Sequence, residues 1–165
     1  MLDILKAVQA LRIGAATLAA AALLGACAGT PSGAPGLSAA PAPAGPRTVS
    51  VNLSAARDVN PGPSGQAAPV SVRLFTMRSL GAFNTSDFFA VRGGSFGGQV
   101  IDSRTVTLRP GTSRAVQMNA GTDGAFLGVA AGFRDIASAR WRATTSLGSK
   151  QTIRVSVRRA SVSAR

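Results

Sequence analysis

The chain has 165 residues, and its 18 basic and 6 acidic side chains give a formal net charge of +12. It contains no histidine, no tyrosine and no glutamate, and it has a single cysteine. Because zinc-type sites need histidine or thiolate ligands and histidine is the commonest general base, this composition argues against a zinc-type site and weakens the case for an enzyme. We expect a protein that is not an enzyme and that has no metal or cofactor. The single cysteine also excludes a disulfide within the chain.

The N-terminal segment has the layout of a secretory signal peptide. Lys6 and Arg12 provide a charged start, and an apolar run too short to span a membrane follows them. The run ends in LLGAC, residues 23–27, which resembles the lipobox of bacterial lipoproteins, where the cysteine is lipidated and becomes the first residue. We therefore predict removal of the signal peptide 1–26 and lipidation of Cys27. The alternative is an uncleaved anchor helix in which Cys27 is a small buried residue.

Residues 27–46 are predicted to be a tether. They consist almost entirely of alanine, glycine, proline and serine and carry no charge, a composition that cannot build a core. At about 3.1 Å per residue such a segment reaches roughly 60 Å. Ala28 stands where an aspartate would resemble the inner-membrane retention signal of enterobacterial lipoproteins, so its presence favours the outer membrane, with the domain in the periplasm.

The excess of positive charge predicts attraction to anionic partners. The lipoprotein signal places the chain where nucleic acid is not the usual partner, so anionic lipid headgroups or an acidic protein surface fit better. We expect no small-molecule substrate. The alternative is that the arginines form a solvated surface without a binding role.

Residues 47–165 are predicted to form one domain whose first two strands flank a long loop. Val49, Val51 and Leu53 alternate with polar residues, a period of two that is typical of a strand. The segment 69–78 alternates over its first half and then places Phe75 and Met77 on the opposite face, so both faces are expected to be covered near its end. Between these strands lies a loop over 58–68, whose Asn-Pro, Pro-Gly and Ser-Gly pairs are turn signals.

One short helix is predicted after the second strand. Asp87 precedes the apolar run 88–91, as a capping residue does, so its carboxylate is expected at a helix start rather than in a catalytic site. Phe88 and Val91 should face the core. The glycine-rich segment 93–98 lacks the lysine and the helical pattern of a phosphate-binding P-loop.

The remaining chain is predicted to consist of strands and turns. A type II turn is expected at 109–112, a tight turn at 121–124, and a bulge or tight turn near 158–159, where the apolar residues change parity. The short strand containing Trp141 should bury that side chain as a structural residue. The predicted strands cover residues 102–108, 114–118, 125–133 (a central strand), 139–143 and 151–157.

Seven or eight short strands with one short helix indicate an all-β fold, a two-sheet antiparallel β-sandwich. The five aspartates beyond residue 26 are scattered in the sequence, so an enzyme would need the fold to bring two of them together in a cleft.

Several stretches, taken in order, resemble one family, the type VI secretion outer-membrane lipoproteins called TssJ or VasD. No single stretch is specific, but their order is that of the family. The stretches are 58–60 (DVN), Gly65, 69–75 (PVSVRLF), 82–83 (AF), 86–89 (SDFF), 109–111 (RPG), 132–136 (GFRDI) and 141–142 (WR).

The resemblance implies a transthyretin-like sandwich and a role in assembly. In this family the lipoprotein binds the periplasmic domain of the inner-membrane protein TssM, and the loop between the first two strands makes much of the contact. Carried over to this sequence, the expected contact residues are Asp58, Val59, Asn60, Pro61, Gly62, Pro63, Ser64 and Gly65. The alternative function is a general envelope lipoprotein whose basic domain binds anionic lipopolysaccharide or peptidoglycan.

Overall fold

Strands dominate the computed structural model, which describes residues 45–94 and 96–165. The predicted signal peptide, Cys27 and nearly all of the tether lie outside the described residues. The described strands are β1 (Arg47–Ala55), β2 (Val70–Met77), β3 (Val100–Leu108), β4 (Ser113–Gly121), β5 (Phe126–Gly132), β6 (Arg142–Ser146), β7 (Thr152–Val157) and β8 (Val162–Ala164). The helices are α1 (Gly81–Thr85) and α2 (Phe88–Gly93), followed by a 3-10 turn at Gly97–Gln99.

The strands form two four-stranded sheets, which confirms the predicted sandwich. Sheet 1 has the order β4-β1-β7-β8, and sheet 2 has the order β3-β2-β5-β6. One strand pair departs from the antiparallel arrangement: β1 and β7 run parallel, with Val51 beside Ile153. Alternation along a strand reports which face is buried but carries no information on the direction of its neighbour.

The core lies between the sheets and is built by the alternating residues that the sequence indicates. Val49, Val51 and Leu53 of β1 are fully buried, while the polar residues between them face outward. They pack against inward residues of sheet 2, such as Val72 and Leu127. Burying each such side chain contributes about 1.5–3 kcal/mol to stability, so this face of each strand fixes its register.

A second, smaller core covers part of the outer face of sheet 2. Phe75 of β2 packs against Phe83 and Phe96, with ring centroids 5.9 and 5.3 Å away. Met77 and Val91 complete this cluster beneath α1 and α2. The end of β2 is therefore covered on both sides, as its sequence predicts.

The helices differ from expectation in number. Asp87 caps α2 as predicted, since its Oδ1 accepts a hydrogen bond from the Ala90 N–H at 2.8 Å. Val91 is buried, whereas Phe88 is half-buried. Helix α1 is not predicted, because Leu80 occupies its N-cap position without a side-chain hydrogen bond and so gives no capping signal.

The turns lie where they are predicted, and one strand is displaced. Gly111 has a φ of 73°, and the Thr112 N–H donates to the Arg109 carbonyl at 3.1 Å in the turn that carries the chain from sheet 2 to sheet 1. A tight turn at 158–161 joins β7 to β8. The strand predicted at 139–143 instead begins at Arg142.

Within the described part of the chain, no helix is long and apolar enough to cross a membrane.

Candidate functional site

The loop between β1 and β2 has a buried base. Val59 is fully buried and packs in the core between the sheets, and Asn60 is only 4% exposed. Neither side chain has the exposed surface that a direct contact with a partner needs. We therefore remove both residues from the predicted contact set, because their burial makes them the support of the loop.

Asn60 ties the loop base to three other segments. Its Nδ2 donates to the Pro69 carbonyl at 2.8 Å, and its Oδ1 accepts from the Arg134 N–H at 2.8 Å. Its own N–H donates to the Arg159 carbonyl at 2.9 Å. Its φ is 50°, in the left-handed region that asparagine tolerates better than most residues. These contacts hold the two ends of the loop together.

The tip of the loop is closed by its own backbone. The Gly62 N–H donates to the Gln66 carbonyl and the Gly65 N–H to the Gly62 carbonyl, both at 2.9 Å. Gly65 has a φ of 77°, which favours glycine. Pro63, Ser64, Gly65 and Gln66 are exposed, and Pro61 and Gly62 are half-buried. The tip thus presents a fixed backbone and small side chains to solvent.

Asp58 lies at the shoulder of the loop and is exposed. Its Oδ2 is 4.0 Å from the Arg159 guanidinium, and both side chains are more than 60% exposed. An ion pair of this length and exposure contributes little to stability. Asp58 is therefore accessible at the surface.

Two grooves flank the loop base, and Asn60 contributes to both. The smaller groove, of about 300 Å³, lies between the loop and the 133–138 connection. The larger groove, of about 450 Å³, lies on the outer face of sheet 2, and we call it the arginine groove. Its lining residues are Asn60, Pro69, Ser71, Arg73, Phe88, Arg92, Thr105, Thr107, Ala130, Gly132 and Arg134. The loop therefore stands as a ridge between two concave surfaces.

The described aspartates are engaged separately, which gives no catalytic pair. The only one that lines either groove is Asp135, in the smaller groove. Over residues 45–94 and 96–165 no cluster of ligating side chains could hold a metal ion. The contacts are Asp58 with Arg159, Asp87 with the Ala90 N–H, Asp102 with Arg104 and the Asn119 N–H, Asp123 with Arg78, and Asp135 with Ser138.

Trp141 packs against neighbouring side chains, as a structural residue does, but it is half-buried and not fully buried as predicted. Its ring meets Phe88 edge to face, with centroids 5.3 Å apart. The Arg142 guanidinium lies 4.9 Å from the ring centroid, and its Nη1 donates to the carbonyl of Asn84 in α1 at 2.6 Å. Trp141 and Arg142 therefore attach the helical segment to sheet 2.

The arginine groove was not recognised in the sequence. Alternation in β2 does place Ser71 and Arg73 on the outer face of the strand. Nothing local, however, indicates that Arg92 and Arg134 reach the same surface, since they follow different elements. The outward position of Arg73 in β2 is therefore the only feature of the sequence that could have indicated this groove.

Taken together, the fold and this surface define a class: a small two-sheet β-sandwich whose loop between β1 and β2 lies between two grooves. The sequence model of the type VI secretion lipoprotein family, which includes VasD, EvfM and TssJ, matches residues 47–160. The chain belongs to this family. It is accordingly a membrane-associated structural lipoprotein of a secretion system, and it is not an enzyme. A comparison with curated protein sequences gave no match.

Solved structures share the same fold. The lipoprotein TssJ1 from Pseudomonas aeruginosa is 28% identical, with a TM-score of 0.65 over 73% of this chain and 95% of that chain. Lip from Serratia marcescens, a membrane-bound component of the type VI secretion system, is 21% identical, with a TM-score of 0.66 over 73% and 96%. A chain in the structure of the TssM C-terminal domain (869–1107) from EAEC is 24% identical, with a TM-score of 0.62 over 72% and 97%.

Proposed function

We propose that this chain is an outer-membrane-anchored assembly lipoprotein that binds the periplasmic domain of TssM through the loop between β1 and β2. The observation that carries the proposal is the contrast within the loop between a buried base at Val59 and Asn60 and a hydrogen-bonded tip at 61–66, of which residues 63–66 are exposed. The direct contact residues are Asp58, Pro61, Gly62, Pro63, Ser64 and Gly65.

The closed tip favours binding because little of it has to be ordered on contact. Pro61 and Pro63 restrict the backbone, and the bonds of Gly62 and Gly65 close the turn before a partner arrives. A surface that is already in its bound conformation avoids much of the entropy loss that association otherwise imposes. A small-residue ridge also lets a partner approach the backbone closely.

The loop lies at the opposite end of β1 from the point where the chain enters the sandwich. The chain enters the sandwich at Arg47, and β1 runs nine residues before the loop begins. At about 3.3 Å per residue, the loop lies roughly 26 Å from the start of the strand.

The similarity to the structure that contains the TssM domain supports the choice of partner. The aligned part, 72% of 165 residues or about 119 residues, makes up 97% of the matched chain. The TssM domain of that structure, residues 869–1107, is about twice as long. A chain of this fold therefore occurs in a structure of TssM, which supports TssM as the partner here.

The test replaces the tip without touching its base. In the tip variant Pro61, Pro63 and Ser64 become glycine, while Val59, Asn60, Gly62 and Gly65 are kept, because replacing the buried pair would destabilise the fold. A matched control changes Ser149 and Lys150 to glycine in the exposed turn that follows β6. Affinity for the TssM periplasmic domain is measured by titration, and folding by thermal melting.

The tip variant should melt cooperatively and bind at least tenfold more weakly, about 1.4 kcal/mol, whereas the control should bind like the wild type. Full affinity of a folded tip variant would remove the loop as the docking site. The salt dependence of binding distinguishes the loop contact from the alternative function, in which the positive charge of the domain binds lipopolysaccharide or peptidoglycan. Such binding should collapse as ionic strength rises, while contact through the ridge should persist.

A further inference from the structure

The floor of the arginine groove is made of small side chains in two rows across three strands. One row pairs Ser71 with Thr107 on one side and Gly132 on the other. The next row pairs Arg73 with Thr105 and Ala130. The helical segment buries Ala130 at one end of the second row together with Phe75. Ser71, Thr105 and Thr107 remain exposed, so they form a concave surface in which Arg73 is the only long side chain of the floor.

Two more arginines stand at the walls of this groove. Arg92 comes from the last turn of α2, and Arg134 follows β5, directly beside the loop base. Together with Arg73 they place three arginine residues on the lining of a groove of about 450 Å³. No carboxylate lines the groove, so the charge of its lining is entirely positive.

These three arginines have no counter-charge in the described part of the chain. The ion pairs there involve Arg78, Arg104 and Arg159. The five described aspartates are occupied elsewhere, two of them by backbone N–H groups at a helix cap and a strand edge. The positive charge of the groove is thus not neutralised from within.

Arg73 is held in a defined position. One of its Nη atoms donates to the Arg92 carbonyl, and its guanidinium carbon lies 5.1 Å from the centroid of the Phe75 ring. Its Nε is buried without a hydrogen-bond partner among the described residues. A guanidinium fixed in this way loses little side-chain entropy when it binds an anion.

We infer that the arginine groove binds an acidic segment of the protein partner, adding a second contact beside the loop ridge; this inference rests on the proposed function. Carboxylates pair with guanidinium groups through two parallel hydrogen bonds, and the threonine and serine hydroxyls of the floor supply further polar contacts. A protein segment is favoured over a lipid headgroup by two aromatic residues beside the arginines. Phe88 lines the wall, and its neighbour Phe89 is 74% exposed.

Arginine and aromatic side chains together are typical of the energetic centres of protein interfaces. The groove is also continuous with the ridge, because Asn60 belongs to the loop base and to the groove lining. One partner can therefore engage both surfaces at once.

The test neutralises the two wall arginines and compares the result with an equal loss of charge elsewhere. The groove variant is Arg92→Gln/Arg134→Gln, both at exposed positions, and Arg73 is kept because it contacts the second core. The control is Arg154→Gln/Arg165→Gln, at exposed positions in and beside sheet 1. Full-length protein in detergent is titrated with the TssM periplasmic domain and, separately, mixed with vesicles of phosphatidylcholine and phosphatidylglycerol.

The groove variant should bind the TssM domain at least tenfold more weakly, because it loses arginines that pair directly with the partner. The control should bind less than threefold more weakly, because it lowers only the total charge of the protein. Equal losses in both variants would overturn the inference in favour of a diffuse field. So would a groove variant that loses only vesicle binding, which would make the groove a lipid site.

The tip variant separates this inference from the proposed function. If the tip variant weakens binding and the groove variant does not, the groove inference fails and the loop stands. If the groove variant alone weakens binding, the groove stands and the loop is not the docking site. If the wild type does not bind the TssM domain, both fail.

Discussion

The support that Asn60 gives to the loop can be tested by removing its side chain. Asn60→Ala deletes the bonds to the Pro69 carbonyl and the Arg134 N–H, both 2.8 Å long. These groups are partly buried, so losing each partner costs about 1 kcal/mol, at the lower end of the range for unsatisfied groups. Alanine at a φ of 50° adds about 1–2 kcal/mol. The free energy of unfolding should therefore fall by about 3–4 kcal/mol.

For a folded domain of this size, 1 kcal/mol corresponds to a change of about 4 °C in Tm, so Asn60→Ala should lower Tm by about 12–16 °C. Thermal and urea unfolding of the full chain, followed by circular dichroism, measure the effect. Asn60→Gly is the matched variant, because it loses the same two bonds without the left-handed penalty and should cost about 2 kcal/mol.

A Tm of Asn60→Ala within about 3 °C of the wild type would refute this reasoning. It would mean that the core contacts of Val59 hold the loop base without Asn60. If Asn60→Gly is as unstable as Asn60→Ala, the lost hydrogen bonds explain the whole loss of stability, and the left-handed backbone conformation contributes nothing to it.

Two further predictions concern the anchor and the helical segment. Cys27→Ser should release the protein from the membrane, because the acyl chains are its proposed attachment. Membrane fractionation measures this, and a variant that still co-purifies with outer membranes would place the anchor elsewhere. Trp141→Ala should cost about 2–3 kcal/mol in urea unfolding, less than the roughly 3–5 of a fully buried aromatic, because the ring is half-buried against Phe88. An unchanged midpoint would show that this contact contributes nothing to stability.

Local patterns in the sequence were sufficient for most strands and for the helix cap. Alternation of Val49, Val51 and Leu53 defined β1 and its buried face. Asp87 before an apolar run predicted the start of α2, and Pro110-Gly111 predicted the turn between the sheets. Each of these features depends on residues within a few positions of one another, so a single segment contains the necessary information.

The loop shows where local information ends. Its turn signals predicted a connection longer than a hairpin, but they did not separate Val59 and Asn60 from the exposed tip. That separation depends on Arg134 and Arg159, whose backbone groups bond Asn60 from 74 and 99 positions away in the sequence.

The sequence by itself determined the strand content, the capped helix, the position of the long loop and the resemblance that led to the family. Only the tertiary structure decided that β1 and β7 run parallel, that the base of the loop is buried, and that Arg73, Arg92 and Arg134 line one groove. The physical reason is that burial on one face repeats every two residues along a strand, whereas sheet pairing and the meeting of side chains join segments far apart in the chain.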